Sequence, residues 1–436
     1  MAVEVTRLDN GITVVTHSMP HLASAALGVW VAAGSRSEAA DENGISHLLE
    51  HMAFKGTRKR SAKDIAEEIE NVGGEVNAAT SIESTSYYAR VLAGDVPLAL
   101  DILSDILQNS QFEPDELDRE KHVIGQEIGA ALDAPEDFVF DMFQQAAFPG
   151  QAIGRPILGS IETVKSFSDD ALRGYLNRHY TGGRTVIAAA GKLGHRELVR
   201  MARKKFQHFG EAESIVPERA VYVGGEAREE RDLMEAQVVL GFPGIAYGDD
   251  DYITAQIASS ILGGGMSSRL FQEIREKRGL CYSIYAFHWG FEDAGIFGIS
   301  AATGERDAGA VVEETMGEIG RAASGVTEIE VKRAQSQLRA GLLMALESPV
   351  ARAGQIARHI MFHGRTLPLD ELVSRINAVT PQKVCEFLEK MVAAPNPTLA
   401  AIGPIDKVPS VSAIAGGGQP AKASAAKASA AKASAA

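Results

Sequence analysis

His47-Leu48-Leu49-Glu50-His51 sets two imidazoles four residues apart with a carboxylate just before the second. On a helix the two rings lie one turn apart and can each give a nitrogen to a single metal ion. Glu50 then stands beside His51, placed to take a proton from a water acidified by that ion and to hand it to a leaving group. Zinc suits this donor set, and hydrolysis is the chemistry it offers.

Read as HxxEH, the pentapeptide is the arrangement of the inverted zincins. Its flanks say how it is presented. Asn43 and Gly44 open a helical stretch that Gly56 closes, and Ile45, Leu48, Leu49 and Met52 fall at the spacing of a buried face. His47, Glu50 and His51 lie on the other side of that helix, so they are not all core filler. His17/His21 and His359/His363 repeat the four-residue interval without an intervening acid and are read as surface or packing histidines. A catalytic zinc takes a third protein ligand from another element and keeps a fourth position open. Glu127 is the best-placed candidate. Pro114-Asp115-Glu116 opens a helix whose Leu117, Ile124, Ile128 and Ala131 form an apolar stripe, with Glu120 and Glu127 along its edge. By itself, a solvated acidic helix accounts for the same residues.

The elements that carry these groups sit in a chain of 436 residues, too long for one ordinary core and suited to two domains. Hydrophobic residues make up 45% and charged residues 23%, which excludes a largely disordered or fibrous chain. No apolar run reaches the length of a membrane span, so no membrane is expected. The first residues alternate like a strand, without the pattern of a secretory signal, and a cytoplasmic, bacterial location is expected. Cys281 and Cys385 lack CxxC neighbours and are read as reduced packing residues. The net charge is −14, and the three lysines and absent acids from Val411 onward leave −17 on the remainder. Such a field disfavours nucleic acid and anionic membranes and favours basic ligands.

The chain also repeats itself. Tyr175-Leu176 and the strand-like Val186 to Gly191 return as Phe387-Leu388 and Leu399 to Gly403, and Ile69 to Ala78 aligns with Ile274 to Ser283. Each half mixes strands and helices, so the fold class is α+β: two duplicated domains, each a mostly antiparallel sheet with helices packed on it. The pattern lapses around Ile215-Val216-Pro217, giving domains at 1–214 and 215–410, followed by a low-complexity Ala/Lys/Ser tail at 411–436.

With these residues in place, the chain resembles the pitrilysin and insulin-degrading metallopeptidases, most closely the zinc-bearing β subunit of mitochondrial processing peptidase. The stretches that carry the resemblance are the HxxEH helix, His51-Met52-Ala53-Phe54-Lys55-Gly56-Thr57, Asn77-Ala78-Ala79-Thr80 and Gly154-Arg155-Pro156-Ile157-Leu158-Gly159. They span nearly everything before the tail. The resemblance implies one zinc ion per chain held by His47, His51 and Glu127, which stands seventy-six residues after His51, with Glu50 as general base. It implies that Glu120, seven residues earlier, orients a histidine or the water. The second half lacks the metal set: Ala255 to Ser259 occupy the place of the histidines and Arg339 that of Glu127.

The same resemblance implies that Arg275 and Tyr282 grip substrate near the zinc, from a partner chain. Tyr282 is the better placed to stabilise the oxyanion. Unfolded peptide is expected to add as a strand along Asn77 and Ala78, with Gly73-Gly74 leaving room for close approach. Asp137 and Asp141 match acidic positions that receive arginines of basic presequence peptides. The loop Gly263-Gly264-Gly265-Met266 is far shorter than the glycine-rich loop of the processing peptidase's noncatalytic subunit, which puts selection by such a loop in doubt. The expectation is therefore a zinc metalloendopeptidase acting as a homodimer on basic peptides. The alternatives are a catalytic subunit paired with a zinc-free partner, or a noncatalytic assembly protein like the core subunits of the respiratory bc1 complex.

Overall fold

The computed structural model describes residues 3–207, 209–210 and 217–417. The expected domain boundary at 214/215 and most of the tail lie outside the described residues. The strands form a six-stranded and a five-stranded sheet. The first contains β1 (Val3–Arg7), β2 (Thr13–Ser18), β3 (Ser24–Val31), β4 (Glu75–Thr80), β5 (Thr85–Leu92) and β6 (Thr185–Gly191), in the order β1-β2-β6-β3-β5-β4. The second contains β7 (Gly225–Glu230), β8 (Ala236–Pro243), β9 (Ser283–Gly290), β10 (Gly295–Thr303) and β11 (Thr398–Gly403), in the order β7-β11-β8-β10-β9. Without β1 the two orders are the same. Each sheet has one parallel pair, β2 with β6 and β7 with β11, and is otherwise antiparallel. The architecture is the expected duplicated α+β fold.

Helices of the first half are α1 (Ile45–Ala53), α2 (Ala62–Glu70), α3 (Val96–Gln108), α4 (Pro114–Leu132), α5 (Pro135–Ala147), α6 (Ile161–Ser166), α7 (Asp169–His179) and α8 (His195–Lys205). Those of the second are α9 (Tyr252–Gly263), α10 (Ala308–Ser324), α11 (Glu328–Ala345), α12 (Pro349–His363), α13 (Leu369–Asn377), α14 (Pro381–Val392) and α15 (Val411–Gly417). A π-helical segment, Phe271–Lys277, stands where the first half has α2. α9 and α11 take the places of α1 and α4, and Arg339 on α11 binds Asn377 instead of facing a histidine pair.

One packing feature is absent from the sequence reading. α5 leaves the first half and lies on the second sheet, where Val139, Phe143 and Ala147 meet Val239, Ala400 and Ile402. α12, its counterpart, lies on the first sheet, where Ala353, Ile356 and Ala357 meet Val15, Trp30, Val186 and Ala188. Each sheet is thus covered by its own helices on one face and a borrowed helix on the other. Burial on both faces is why β3 and β6 read as nearly unbroken apolar runs. Phe143 settles directly over Gly241 of β8, where a Cβ would stand 2.3 Å from its ring. Arg36 adds a polar tie across the seam, donating to Glu83 of the β4–β5 turn at 2.6 Å and to Asp293 of the β9–β10 turn at 2.8 Å.

Two expectations change. The tail that composition begins at Val411 starts later, because Val411 and Ile414 supply apolar contact to the second core and the Val411 amide donates to Glu226. The room at Gly73-Gly74 serves the fold: Gly73 sits in a left-handed turn (φ 67°), and a Cβ on Gly74 would meet Val91 at 2.8 Å. Cys281 and Cys385 are free thiols, the first buried. Among the described residues no helix is long and apolar enough to cross a membrane.

Candidate metal centre

α1 carries its chemistry on the face opposite its anchor. Ile45, Leu48, Leu49 and Met52 are fully buried in the first core, so His47, Glu50 and His51 are turned toward α4 and the edge strand β4. α4 starts at Pro114, whose missing N–H is no loss at the first helical position, and buries Leu117, Ile124 and Ile128. Glu120 and Glu127 are two turns apart and so share one side of α4.

The two helices meet at His51, which lies between both acids. His51 Nδ1 is 2.9 Å from Glu120 Oε2, and its Nε2 is 3.7 Å from Glu127 Oε2. His47 Nε2 is 3.8 Å from that same Glu127 oxygen. Ligand atoms of His47, His51 and Glu127 all lie within 4.8 Å of one another, and among the described residues no other such group of three or more occurs. The histidine rings are 4.6 Å apart, edge to face. These nitrogen–oxygen gaps exceed a hydrogen bond. They fit a shared ion, since two zinc bonds of about 2.0–2.2 Å at a tetrahedral angle separate their ligands by roughly 3.4 Å.

Protonation favours the same use. Glu120 is buried, which opposes its charge, but hydrogen bonds from Lys55 at 2.7 Å and from His51 hold its carboxyl below the ordinary value. An ionised Glu120 fixes the His51 proton on Nδ1 and leaves the Nε2 lone pair facing Glu127. Burial, reinforced by the neighbouring His51, pushes His47 down to about 4, so its ring is neutral at neutral pH and can donate a lone pair. His47 Nδ1 is buried with no hydrogen-bond partner among the described residues. Glu50 projects from the same turn as His51 and accepts a 2.5 Å hydrogen bond from Thr80 Oγ1 on β4.

Asn77 and Ala78 lie on β4, whose outer side is an open sheet edge, and Asn77 Oδ1 accepts from the Ala78 amide. Asp137 and Asp141 lie on α5, just past the turn that follows α4. Burial, then the charge of Asp137, pushes Asp141 up to about 6. Arg275 and Tyr282 belong to the other half. The Arg275 guanidinium lies 4.5 Å from the Phe271 ring centre and 5.8 Å from that of Tyr282, and Tyr282 is 73% exposed. Among the described residues no hydrogen bond, ion pair or ring contact joins either to the groups on α1 and α4.

Three contacts escaped the sequence reading: Lys55 on Glu120, Thr80 on Glu50, and Glu38 at the start of α1. Lys55 had only a weak signal: it falls four residues after His51 but just past the end of α1 at Ala53. Thr80 acts across the fold and left none, and Glu38, although it bonds Asn43, Gly44 and Ser46 only five to eight residues on, left none either.

Residues 13–161 match the family described as Insulinase (Peptidase family M16), and residues 166–338 match Peptidase M16 inactive domain. The chain belongs to peptidase family M16. The first match contains His47, Glu50, His51, Glu120 and Glu127; the second begins within the first half, before α7, and contains Arg275 and Tyr282. An uncharacterized zinc protease of Streptomyces coelicolor is 39% identical, over 92% of this chain and 89% of that protein. The mitochondrial-processing peptidase subunit beta of Lentinula edodes is 36% identical, over 92% of this chain and 90% of that protein. A crystal structure described as peptidase M16 inactive domain from Pseudomonas fluorescens shares the fold of this M16 protein, with a TM-score of 0.87 at 20% identity, covering 94% of this chain and all of that one.

Proposed function

We propose that this M16 protein is a zinc endopeptidase that cuts extended, basic peptides, with one zinc per chain, and works as a homodimer in the bacterial cytoplasm. The observation that carries the reading is the convergence of His47, His51 and Glu127 beside Glu50, at an open sheet edge. Zinc, when bound there, supplies a charge that acidifies water and polarises a peptide carbonyl.

The chain's own residues do the rest. An extended peptide pairing with the free side of β4 is carried past Glu50, because Thr80 of that strand already reaches Glu50. Glu50, held at one oxygen by Thr80, takes the proton of the attacking water at the other and returns it to the leaving amine. Asp137 and Asp141 offer negative charge to basic side chains, in keeping with the net charge of −14. The acidic pair stands on α5, which touches α4 and lies on the second sheet.

Arg275 and Tyr282 grip substrate from the partner copy, which is consistent with their isolation from the centre within one chain and with the exposure of Tyr282. That same isolation also suits a heterodimer in which a zinc-free subunit supplies the pair. A purely structural role in an assembly is not favoured, since every group of the centre is present. Purified protein treated with a chelator should lose cleavage of unfolded peptides and regain it with zinc, and Glu50→Gln should be inactive while still binding zinc. Full activity after chelation, or in Glu50→Gln, would refute the reading.

A further inference from the structure

Glu38 is only 3% exposed, stands seven residues before α1 begins, and directs its carboxylate at the start of that helix. Oε1 accepts from the Ser46 amide at 2.8 Å, and Oε2 accepts from the Gly44 amide at 2.9 Å and from Asn43 Nδ2 at 3.0 Å. Among the described residues these partners are all uncharged. Glu38 caps the positive end of α1 from outside the helix; burial pushes its carboxyl up to about 7, and the hydrogen bonds from Asn43, Ser46 and Gly44 offset part of that rise. Gly44, the residue in the capping position, has no side chain to do this. It cannot be replaced by one that does: its φ is 98°, and a Cβ would stand 2.8 Å from Leu158 O.

The cap is itself held in place. Arg155 donates to the Glu38 carbonyl at 2.7 Å, Asn43 Nδ2 also donates to Pro156 O at 2.9 Å, and Thr163 Oγ1 donates to Asn43 O at 2.7 Å. Ser46 Oγ bonds the buried Tyr175 hydroxyl at 2.8 Å. The result is a polar lock on the first turn of a helix whose next residue is His47. Each residue of a helix advances about 1.5 Å and turns about 100°, so a small slip of the first turn moves His47 and His51 relative to Glu127 on a different helix.

We propose that Glu38 is a positioning residue for the metal-bearing helix, fixing the axial and rotational setting of α1 through the amides of Gly44 and Ser46. It does not touch the metal or the substrate. The inference rests on the zinc reading above. Glu38→Gln keeps the size but turns one oxygen into an amide NH2 that faces other donors.

The test is zinc affinity of the full-length protein, measured by competition with a chromophoric chelator, alongside steady-state cleavage of one peptide. Glu38→Gln is expected to bind zinc at least about tenfold more weakly, with kcat reduced and KM within about twofold of wild type. A Glu38→Gln protein that melts earlier but binds zinc and turns over like wild type would overturn the proposal, because the carboxylate would then serve stability alone. Should Glu38→Gln not fold, Asn43→Ala removes one donor and leaves the carboxylate. A several-fold loss of zinc affinity in it supports the proposal, and unchanged affinity overturns it. Wild-type protein that takes up no zinc would defeat the underlying reading, whereas zinc-binding wild type with an equally tight Glu38→Gln defeats only this inference.

Discussion

Lys55 donates to one oxygen of Glu120 at 2.7 Å while the other oxygen accepts the Nδ1 proton of His51 at 2.9 Å. The lysine thereby keeps a buried carboxylate ionised, and the carboxylate keeps a ligand ring in one orientation. Replacing Lys55 with Met leaves Glu120 buried with a single partner. Zinc affinity is expected to fall about 10–100-fold, with a similar loss for Glu120→Gln, as read by chelator competition on folded protein.

Asp141 gives a pH dependence with a definite sign. Its carboxyl is raised by burial and by Asp137 from 3.8 to about 6 in the folded chain. Between those values the folded protein holds a proton that the unfolded chain has released, so the stability this group contributes is present below 3.8 and is lost as pH rises through 6. Asp141→Asn should raise thermal stability at pH 7.5 by an amount on the order of 1 kcal/mol, and change it little at pH 4. In a cleavage assay the same substitution should raise KM for arginine-containing peptides more than for neutral ones.

The contact of Phe143 with Gly241 is open to a single-methyl test. Gly241→Ala forces α5 off the second sheet or bends β8, an overpacking that costs about 1–3 kcal/mol. Denaturant unfolding should show that loss. Because α5 follows α4 after a short turn, peptide cleavage should fall as well; unchanged stability would mean that the helix is not seated there.

Mixed dimers test where Arg275 and Tyr282 act. Glu50→Gln and Tyr282→Phe are each expected to be nearly inactive alone. Co-refolded at equal amounts, they should recover roughly a quarter of wild-type activity, since random pairing makes half the molecules mixed and each mixed dimer holds one intact site. No recovery at any ratio would place the pair within its own chain or on a different subunit.

Much of this was legible before the fold. The spacing of Ile45, Leu48, Leu49 and Met52 fixes which side of α1 is buried, and so exposes His47, Glu50 and His51 on the other. The apolar stripe of α4 does the same for Glu127 and Glu120, but spacing alone did not pair that helix with α1; the family resemblance suggested the partner and the packing of α1 on α4 supplies it. The exchange of α5 and α12 was not legible. Val139, Met142, Phe143 and Ala147 state that one face of α5 is buried, and say nothing about which sheet covers it. Glu38 looks like an ordinary surface charge in the sequence, because nothing in its own stretch shows that Arg155 and Pro156, far along the chain, pack over it and its partner Asn43.

The traded helices have a consequence for the handling of this protein. A chain severed between its two halves would leave Trp30 and Val186 on one fragment, and Val239 and Ile402 on the other, without the roof each now has. Neither fragment could close its core unaided, yet the two together could close both. Such mutual loan is the packing of a swapped dimer, held here within one chain.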